Sequence, residues 1–254
     1  MFSSLKQFLY RYPALGEPVF RAVEWYKQRK PGAQAQRRLF ARMTAHGIIV
    51  RSILDVGANR GEWSRLAMHS FPSACCLLIE PQTEMIPHLQ SFARRFSQAQ
   101  YKLAGAGAQS GELTLTVWDD RAGSSFVPTD TFEQTKGFER RTVPIITVNS
   151  LIAEGLLPVP DLVKIDVQGF ELEVLKGMTH CFESMQVCII EVSLMEFFPS
   201  APLIMDIMSF MAENGYVLYD VVDSMRRPLD DALAQLDCVF VRTDSVLRAN
   251  KQWA

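Results

Sequence analysis

Four acidic residues at the ends of apolar runs are the side chains in this sequence best placed to do chemistry. Asp55 lies at the end of the run in SILDVGANRGEW, Glu80 ends CCLLIE, Asp166 ends DLVKID and Glu191 ends QVCIIE. Short apolar runs that stop at turn residues are typical of buried strands. Ligands of open α/β sheets bind beyond the carboxyl ends of such strands, so these carboxylates are the candidate site residues.

A glycine turn, Gly57-Ala58-Asn59-Arg60-Gly61, follows Asp55. Gly57 can adopt a positive φ and lets a ligand approach the backbone, and Gly61 allows the next helix to pack closely. The spacing differs from G-x-G-x-x-G, the pattern that seats a pyrophosphate on a helix N-terminus. We therefore predict a cofactor without a phosphate, bound by Asp55, Gly57, Asn59 and Gly61.

Glu80 lies 19 residues after Gly61, at the tip of the second predicted strand. A carboxylate there can accept hydrogen bonds from both hydroxyls of an adenosine ribose. Nicotinamide dinucleotides and S-adenosylmethionine both contain such a ribose, so Glu80 alone does not choose between them. S-adenosylmethionine has no phosphate and carries a cationic sulfonium, for which an acid at a strand end is useful. A surface glutamate without a function is the other interpretation of Glu80.

Strands and helices alternate along most of the chain, which predicts parallel strands joined by right-handed crossovers with helices on both faces. The last two predicted strands, YVLYDVV and LDCVFVR, form a hairpin-like pair that indicates an antiparallel edge. We predict one α/β domain over residues 47–245. Residues 1–46 are predicted to be a helical extension broken at prolines.

The extension is basic and the rest of the chain is acidic. Residues 1–51 contain ten Lys/Arg and two acids, a net charge of +8, against sixteen and twenty-six, a net of −10, in the remainder. A solvated helical cap, an arm that docks on anionic membrane, a lid over the acceptor and a dimer support all fit this pattern. The overall net charge of −2 argues against nucleic acid as a partner.

The composition is ordinary for a globular protein, with 48% hydrophobic and 21% charged residues. We expect no transmembrane helix, because no run of 18 apolar residues occurs, and no secretory signal. The five cysteines do not form CxxC pairs, so we expect buried, reduced thiols of a cytoplasmic protein and no metal site.

The motifs ILDVGANRGEWS, IEPQ, PDLVKIDVQGFELEVLKGM, IIEVSLMEFF and LAQLDCVFVR resemble the FkbM-type S-adenosylmethionine-dependent methyltransferases. The resemblance covers about residues 50–242, and KIDVQGFELEVLKG is its most specific part. It implies a class I methyltransferase fold, a Rossmann-like, mostly parallel seven-stranded sheet. It also implies O-methylation of a hydroxyl, on a sugar or a secondary metabolite. Gln168 stands where many members have Glu, so this chain has no carboxylate at that position.

Within that resemblance, Asp166 is the expected group that takes or orients the acceptor's proton, and Glu191 is a second catalytic candidate. Helix capping is the alternative role of Asp166. The two carboxylates could instead hold a divalent cation, but two ligands are few for that purpose. Lys164 shares a strand face with Asp166 and is expected to pair with an acid. The serines of Gly123-Ser124-Ser125 are expected to line the pocket or to form a plain polar loop.

Two other classes of function remain open from the residues alone. One is an NAD(P)-dependent oxidoreductase on a related fold, against which the missing G-x-G-x-x-G counts. The other is a non-catalytic scaffold that keeps the cofactor fold, against which the intact Asp55, Gly57, Glu80 and Asp166 count. The identity of the acceptor and the oligomeric state are not predicted, because acceptor pockets are built from loops.

Overall fold

The computed structural model describes residues 31–118, 121, 123–127 and 138–253. The predicted helices before residue 31 lie outside the described residues, and so does any membrane contact of that basic arm, which was one of its four alternative roles. Most of the predicted polar loop after Trp118 lies outside them as well. Within the part of the chain that is described, no helix has the length and apolar character needed to cross a membrane.

Seven strands form the main sheet: β1 Ser52–Val56, β2 Cys75–Ile79, β3 Ala99–Lys102, β7 Leu162–Ile165, β8 Val187–Ser193, β9 Tyr216–Arg226 and β10 Leu233–Arg242. Their order across the sheet is β3-β2-β1-β7-β8-β10-β9. The pairs β1–β2, β2–β3, β1–β7 and β7–β8 are parallel, and β10 is antiparallel to both β8 and β9. The predicted α/β fold is confirmed. Its antiparallel strand, β10, lies one place in from the edge.

Strand order reverses between β1 and β7. The strands β2 and β3 are added on one side of β1, and β7 and the strands after it are added on the other side. Asp55 of β1 pairs in register with Lys164 of β7. Such a switch point leaves a crevice at the carboxyl ends of the two strands. The residues that follow β1 and β7 therefore face one another across this crevice.

Helices cover both faces of the main sheet. Their bounds are α1 Pro31–Ala45, α2 Glu62–Ser70, α3 Ile86–Arg95, α4 Val148–Ala153, α5 Glu171–Lys176 and α6 Ile204–Glu213. All five residues of β1 are buried. Ile53 belongs to the core on the side of α1–α3, and Leu54 to the core on the side of α4–α6. Burial on both faces explains why these strands appear in the sequence as continuous apolar runs.

Helix α1 is the described part of the predicted extension, and it packs into the first of these cores. Leu39, Phe40 and Met43 are at most 1% exposed. Gln36 donates to Asp237 Oδ2 of β10 over 3.2 Å, and Arg42 pairs with Asp220 of β9. At least from Pro31 onwards, the extension is thus continuous with the α/β core.

A second, three-stranded sheet lies between β3 and β7 in the chain. It consists of β4 Gly105–Ala106, β5 Gly111–Trp118 and β6 Phe138–Ile146, in the order β4-β6-β5. The alternating segment GELTLTVW predicts β5 as a half-exposed strand, and the structure agrees. Leu115 and Val117 pack with Val143 and Ile145 in a small separate core.

Candidate active site

A cavity of about 560 Å³ opens at the carboxyl ends of the central strands. Its volume falls in the range of about 300–1,000 Å³ that is usual for small-molecule sites. Six of the seven residues predicted from the sequence line it, namely Asp55, Gly57, Asn59, Glu80, Asp166 and Glu191. The structure therefore brings the four strand-end carboxylates to one site.

The seventh residue, Gly61, packs away from the cavity. A Cβ at this position would lie 3.1 Å from Leu78 Cδ2 and 3.3 Å from Phe92 Cδ2. Its φ of +70° also favours glycine. Gly61 thus allows α2 to pack closely, as expected, whereas its predicted contact with a cofactor remains a prediction.

Gly57 joins the two halves of the site. It has a φ of +81°, and a Cβ there would lie 1.8 Å from the backbone carbonyl oxygen of Asp166. The sequence indicated that a ligand approaches this backbone. In the structure, the space that a side chain at position 57 would occupy is taken by this carbonyl oxygen of Asp166. The turn after β1 and the residue after β7 are in direct contact because position 57 has no side chain.

Glu80 is buried, with 2% of its surface exposed, and it holds the glycine turn in place. Its Oε2 accepts the backbone N–H of Asn59 over 2.8 Å, and its Oε1 accepts that of Gln82 over 2.9 Å. Burial raises the pKa of Glu80, and these backbone donors oppose the rise. Each carboxylate oxygen has a further lone pair with which it can accept from a ligand.

Asp55 is as buried as Glu80, at 2% exposed, although it lines the cavity. Its Oδ2 accepts the hydroxyl of Ser64 in α2 over 2.5 Å. Burial raises the pKa of Asp55 to about 7, while Ser64 and Lys164 lower it. Asp55 therefore binds a proton more readily near neutral pH than an exposed aspartate does. Ser64 is a contact that the sequence did not single out.

Lys164 is the central cation of the other half of the site. It is 3% exposed, and its Nζ lies 2.7 Å from Asp237 Oδ1 and 3.6 Å from Asp166 Oδ2. Burial lowers the pKa of Lys164, but the neighbouring carboxylates Asp237, Asp166 and Glu191 raise it well above its ordinary value. The expected pairing of Lys164 with an acid is present, and Asp237 is the closer partner.

Asp166 does not cap the helix that follows it. Helix α5 begins at Glu171 with Phe170 at the N-cap position, and no side chain caps it there. The backbone N–H of Gly169 is accepted by Glu171 itself over 3.0 Å. The carboxylate of Asp166 is instead turned to Lys164 and Gln168, beside the cavity.

Gln168 connects the two predicted catalytic carboxyl groups. Its Nε2 donates to Asp166 Oδ1 over 2.9 Å and to Glu191 Oε2 over 2.5 Å. Gln235 of β10 donates to the same Glu191 oxygen over 3.0 Å. Burial, followed by the charge of Asp166, raises the pKa of Glu191 to about 9. Glu191 therefore keeps its proton to a higher pH than an exposed glutamate does.

The donor set at Asp166 and Glu191 does not fit a divalent cation. The N–H groups of Gln168 lie between the two carboxyl groups, where a cation would have to be ligated by oxygen. Among the described residues, no group of three or more His, Cys, Asp or Glu is arranged to hold a metal ion. We assign no step to a metal.

The loop after β5 forms part of the cavity wall, because Gly123 and Ser124 line the cavity. Ser124 Oγ donates to Gln82 Oε1 over 3.3 Å, and Gln82 Nε2 donates to the backbone oxygen of Arg121 over 2.9 Å. Ser125 Oγ donates to the backbone oxygen of Gln168 over 2.5 Å. The serine pair thus ties this loop to both halves of the site.

An ion pair outside the cavity fixes the same loop. Glu84 Oε1 lies 2.8 Å from Arg121 Nη1 and 2.6 Å from Arg141 Nη2. The hydrogen bonds from Arg141 lower the pKa of Glu84 to about 2. Glu84 is therefore ionised over the whole physiological pH range, and it pairs with Arg121 of the loop and with Arg141 of β6.

Three glutamines of the site were missed as contributors by sequence reasoning: Gln82, Gln168 and Gln235. Two of them are marked in the sequence by their places beside a candidate carboxylate, two residues after Glu80 and after Asp166. Gln235 carries no such mark, because it reaches the site through the antiparallel pairing of β10 with β8.

The geometry agrees with comparisons to known proteins. Residues 55–218 match the family model described as the methyltransferase FkbM domain. Hexuronic acid methyltransferase AglP of Haloferax volcanii is 45% identical over 51 residues, which are 20% of this chain and 21% of that protein.

A crystal structure of methyltransferase FkbM from Methylobacillus flagellatus superposes with a TM-score of 0.50 at 17% identity. The superposition covers 75% of this chain and 43% of that one. The chain thus matches less than half the length of either relative. The likeness to the solved structure concerns the fold, while the family model spans well over half of the sequence and includes every predicted site residue. The chain belongs to the FkbM methyltransferase family.

Proposed function

We propose that this protein transfers the methyl group of S-adenosylmethionine to a hydroxyl of a sugar. The observation that carries the proposal is the meeting of two sets of residues in one cavity. The glycine turn and Glu80 lie on its β1–β2 side, and Asp166 and Glu191 lie on its β7–β8 side. A bisubstrate methyl transfer needs two such half-sites next to each other, so that the nucleophile and the methyl group can be aligned.

The β1–β2 half fits S-adenosylmethionine. Glu80 is buried at a strand tip and can accept from the ribose hydroxyls. Asn59 and Gly57 line the turn beneath it, where no pyrophosphate nest of the G-x-G-x-x-G type is built. Trp63 also lines the cavity, and its buried indole N–H has no hydrogen-bond partner in the described part of the chain.

The β7–β8 half fits the acceptor hydroxyl. When bound, S-adenosylmethionine supplies a sulfonium methyl group, whose carbon–sulfur bond breaks as the new carbon–oxygen bond forms, releasing S-adenosylhomocysteine. Asp166 orients the attacking hydroxyl and accepts its proton at Oδ2. Lys164 and Gln168 hold the carboxylate of Asp166 in place from two sides.

Glu191 acts here as a neutral acid at pH 7. Its Oε2 already accepts from Gln168 and Gln235, which leaves Oε1 to carry the proton. A protonated carboxyl group can donate a hydrogen bond to a neighbouring oxygen of the acceptor. Glu191 therefore positions the acceptor in this scheme, and proton removal belongs to Asp166.

A sugar is the acceptor class favoured by the Haloferax volcanii relative, whose name is that of a hexuronic acid methyltransferase. We place the reaction in the cytoplasm. All five cysteines are free, and four of them are buried, which suits a reducing compartment.

Titration of the purified chain with S-adenosylhomocysteine, followed by incubation with labelled S-adenosylmethionine and a panel of sugars, tests the proposal. The expected result is micromolar binding and transfer of the label to a sugar hydroxyl. Binding of NADH in place of S-adenosylhomocysteine would favour the oxidoreductase alternative. Full biological function of an Asp166→Asn variant would favour a non-catalytic scaffold.

A further inference from the structure

The acceptor half of the cavity has a definite hydrogen-bonding character. Four side chains line it and form what is called the acceptor wall below: Asp166 and Gln168, which follow β7, Glu191 of β8 and Gln235 of β10. Within the described residues, the amide nitrogens of both glutamines point their hydrogen bonds at carboxyl groups. Most hydrogen-bond donors of this wall are therefore already paired with groups of the protein.

The side-chain atoms of this wall that remain available to a ligand are mostly hydrogen-bond acceptors. Oε1 of Gln168 and Oε1 of Gln235 make no hydrogen bond to the described residues, and neither is among the fully buried unpartnered atoms. Both glutamines are among the residues that line the cavity. Asp166 Oδ2 adds a third acceptor, 3.6 Å from Lys164.

The charges in the acceptor half also disfavour a negatively charged ligand. Lys164 is the cation nearest to the acceptor wall among the described lining residues, and it is engaged by Asp237 and Asp166. Arg60 also lines the cavity, but it belongs to the turn after β1, on the cofactor side. A ligand carboxylate at the acceptor wall would meet amide oxygens and Asp166, and it would bring no donor to satisfy them.

We infer that the acceptor is a sugar that presents uncharged hydroxyl groups to Asp166, Gln168 and Gln235, and that a uronic acid is discriminated against. This inference rests on the proposed function and narrows its substrate class. It separates this chain from the relative named for hexuronic acid. Hydroxyl groups fit because each one donates to an amide or carboxylate oxygen and can still accept from the Glu191 carboxyl group.

The test is binding of matched glycoside pairs to the full chain saturated with S-adenosylhomocysteine, measured by saturation-transfer NMR. The pairs are methyl glucoside with methyl glucuronide, and the corresponding galacto and manno pairs. At least one neutral glycoside should bind, at least about fivefold more tightly than its uronate. A uronate that binds as tightly as its neutral partner, or no binding of any neutral glycoside, would overturn the inference.

A Gln235→Leu variant gives an independent check, because it removes the Oε1 acceptor of Gln235 from the acceptor wall without adding a charge. The preference for the neutral glycoside should fall at least about threefold, while S-adenosylhomocysteine affinity, which depends on the other half of the cavity, should persist. An unchanged preference in a variant that still binds S-adenosylhomocysteine would contradict the inference. Failure of the wild-type chain to bind S-adenosylhomocysteine would instead contradict the proposed function itself.

Discussion

The backbone carbonyl oxygen of Asp166 lies where a side chain on Gly57 would begin, 1.8 Å from the position of its Cβ. The turn that is proposed to hold the cofactor and the residue proposed to take the acceptor's proton are therefore in van der Waals contact. Any side chain at position 57 must push β1 and β7 apart at the switch point.

Gly57→Ala should therefore damage both folding and cofactor binding. We expect S-adenosylhomocysteine affinity to fall at least about tenfold and the free energy of unfolding to fall by about 2 kcal/mol or more, because a positive φ and a backbone clash are combined. Calorimetric titration and urea unfolding measure the two effects.

Gly47→Ala is the matched control for that variant. Gly47 has a φ of +76°, but nothing lies within 4 Å of its would-be Cβ. This variant carries the backbone strain, of order 1 kcal/mol, without the clash. Equal losses in the two variants would show that contact with Asp166 is unimportant.

Asp166→Asn should separate chemistry from binding. The amide keeps the size of the side chain but cannot accept a proton, so we expect kcat to fall by about 10²–10⁴-fold. The affinity for S-adenosylhomocysteine should stay within about threefold, because the cofactor half is untouched. A kcat within threefold of the wild type would exclude Asp166 as the base.

Glu80→Gln should weaken cofactor binding, in contrast to Asp166→Asn, which should lower kcat. Its two oxygens accept from the turn and, as proposed, from the ribose, and bonds to a charged acceptor contribute about 1.5–3 kcal/mol. We expect the Kd for S-adenosylhomocysteine to rise at least about tenfold. Glu213→Gln, an exposed change on α6, should leave the Kd unchanged. An unaltered Kd in the Glu80 variant would remove Glu80 from the cofactor site.

Glu191→Gln should change how stability depends on pH. Glu191 has a pKa of about 9 in the folded protein and 4.5 as its ordinary value, so the folded state binds the extra proton between those limits. The stability that this group contributes is complete below about pH 4.5 and is lost as the pH rises towards 9.

The variant lacks that proton and should gain stability relative to the wild type as the pH rises from 5 to 9, by up to about 1.4 kcal/mol per pH unit. Urea unfolding at several pH values measures the difference. A difference that stays constant, or changes in the other direction, would contradict a raised pKa for Glu191.

The main sheet and its strand-end carboxylates could be predicted from the sequence because burial leaves a clear pattern. Parallel strands that are covered on both faces appear in the sequence as continuous apolar runs. The residue that ends such a run lies at the carboxyl end of its strand, where ligands of these sheets bind. Asp55, Glu80, Asp166 and Glu191 were all found in this way.

The remainder of the site depends on tertiary pairing, which a single sequence does not display. Gln235 reaches Glu191 because β10 inserts antiparallel between β8 and β9. Ser64 reaches Asp55 from the adjoining helix. The two-residue strand β4 is too short to have a periodicity, so the second sheet could not be recognised as a separate unit.

The central claim is that this cavity binds S-adenosylmethionine beside a general base. The most direct measurement is calorimetric titration of the purified chain with S-adenosylhomocysteine, with NADH as the control ligand. The account predicts one site with a micromolar Kd for S-adenosylhomocysteine and no binding of NADH. Binding of NADH, or no binding of S-adenosylhomocysteine by the folded chain, would contradict it.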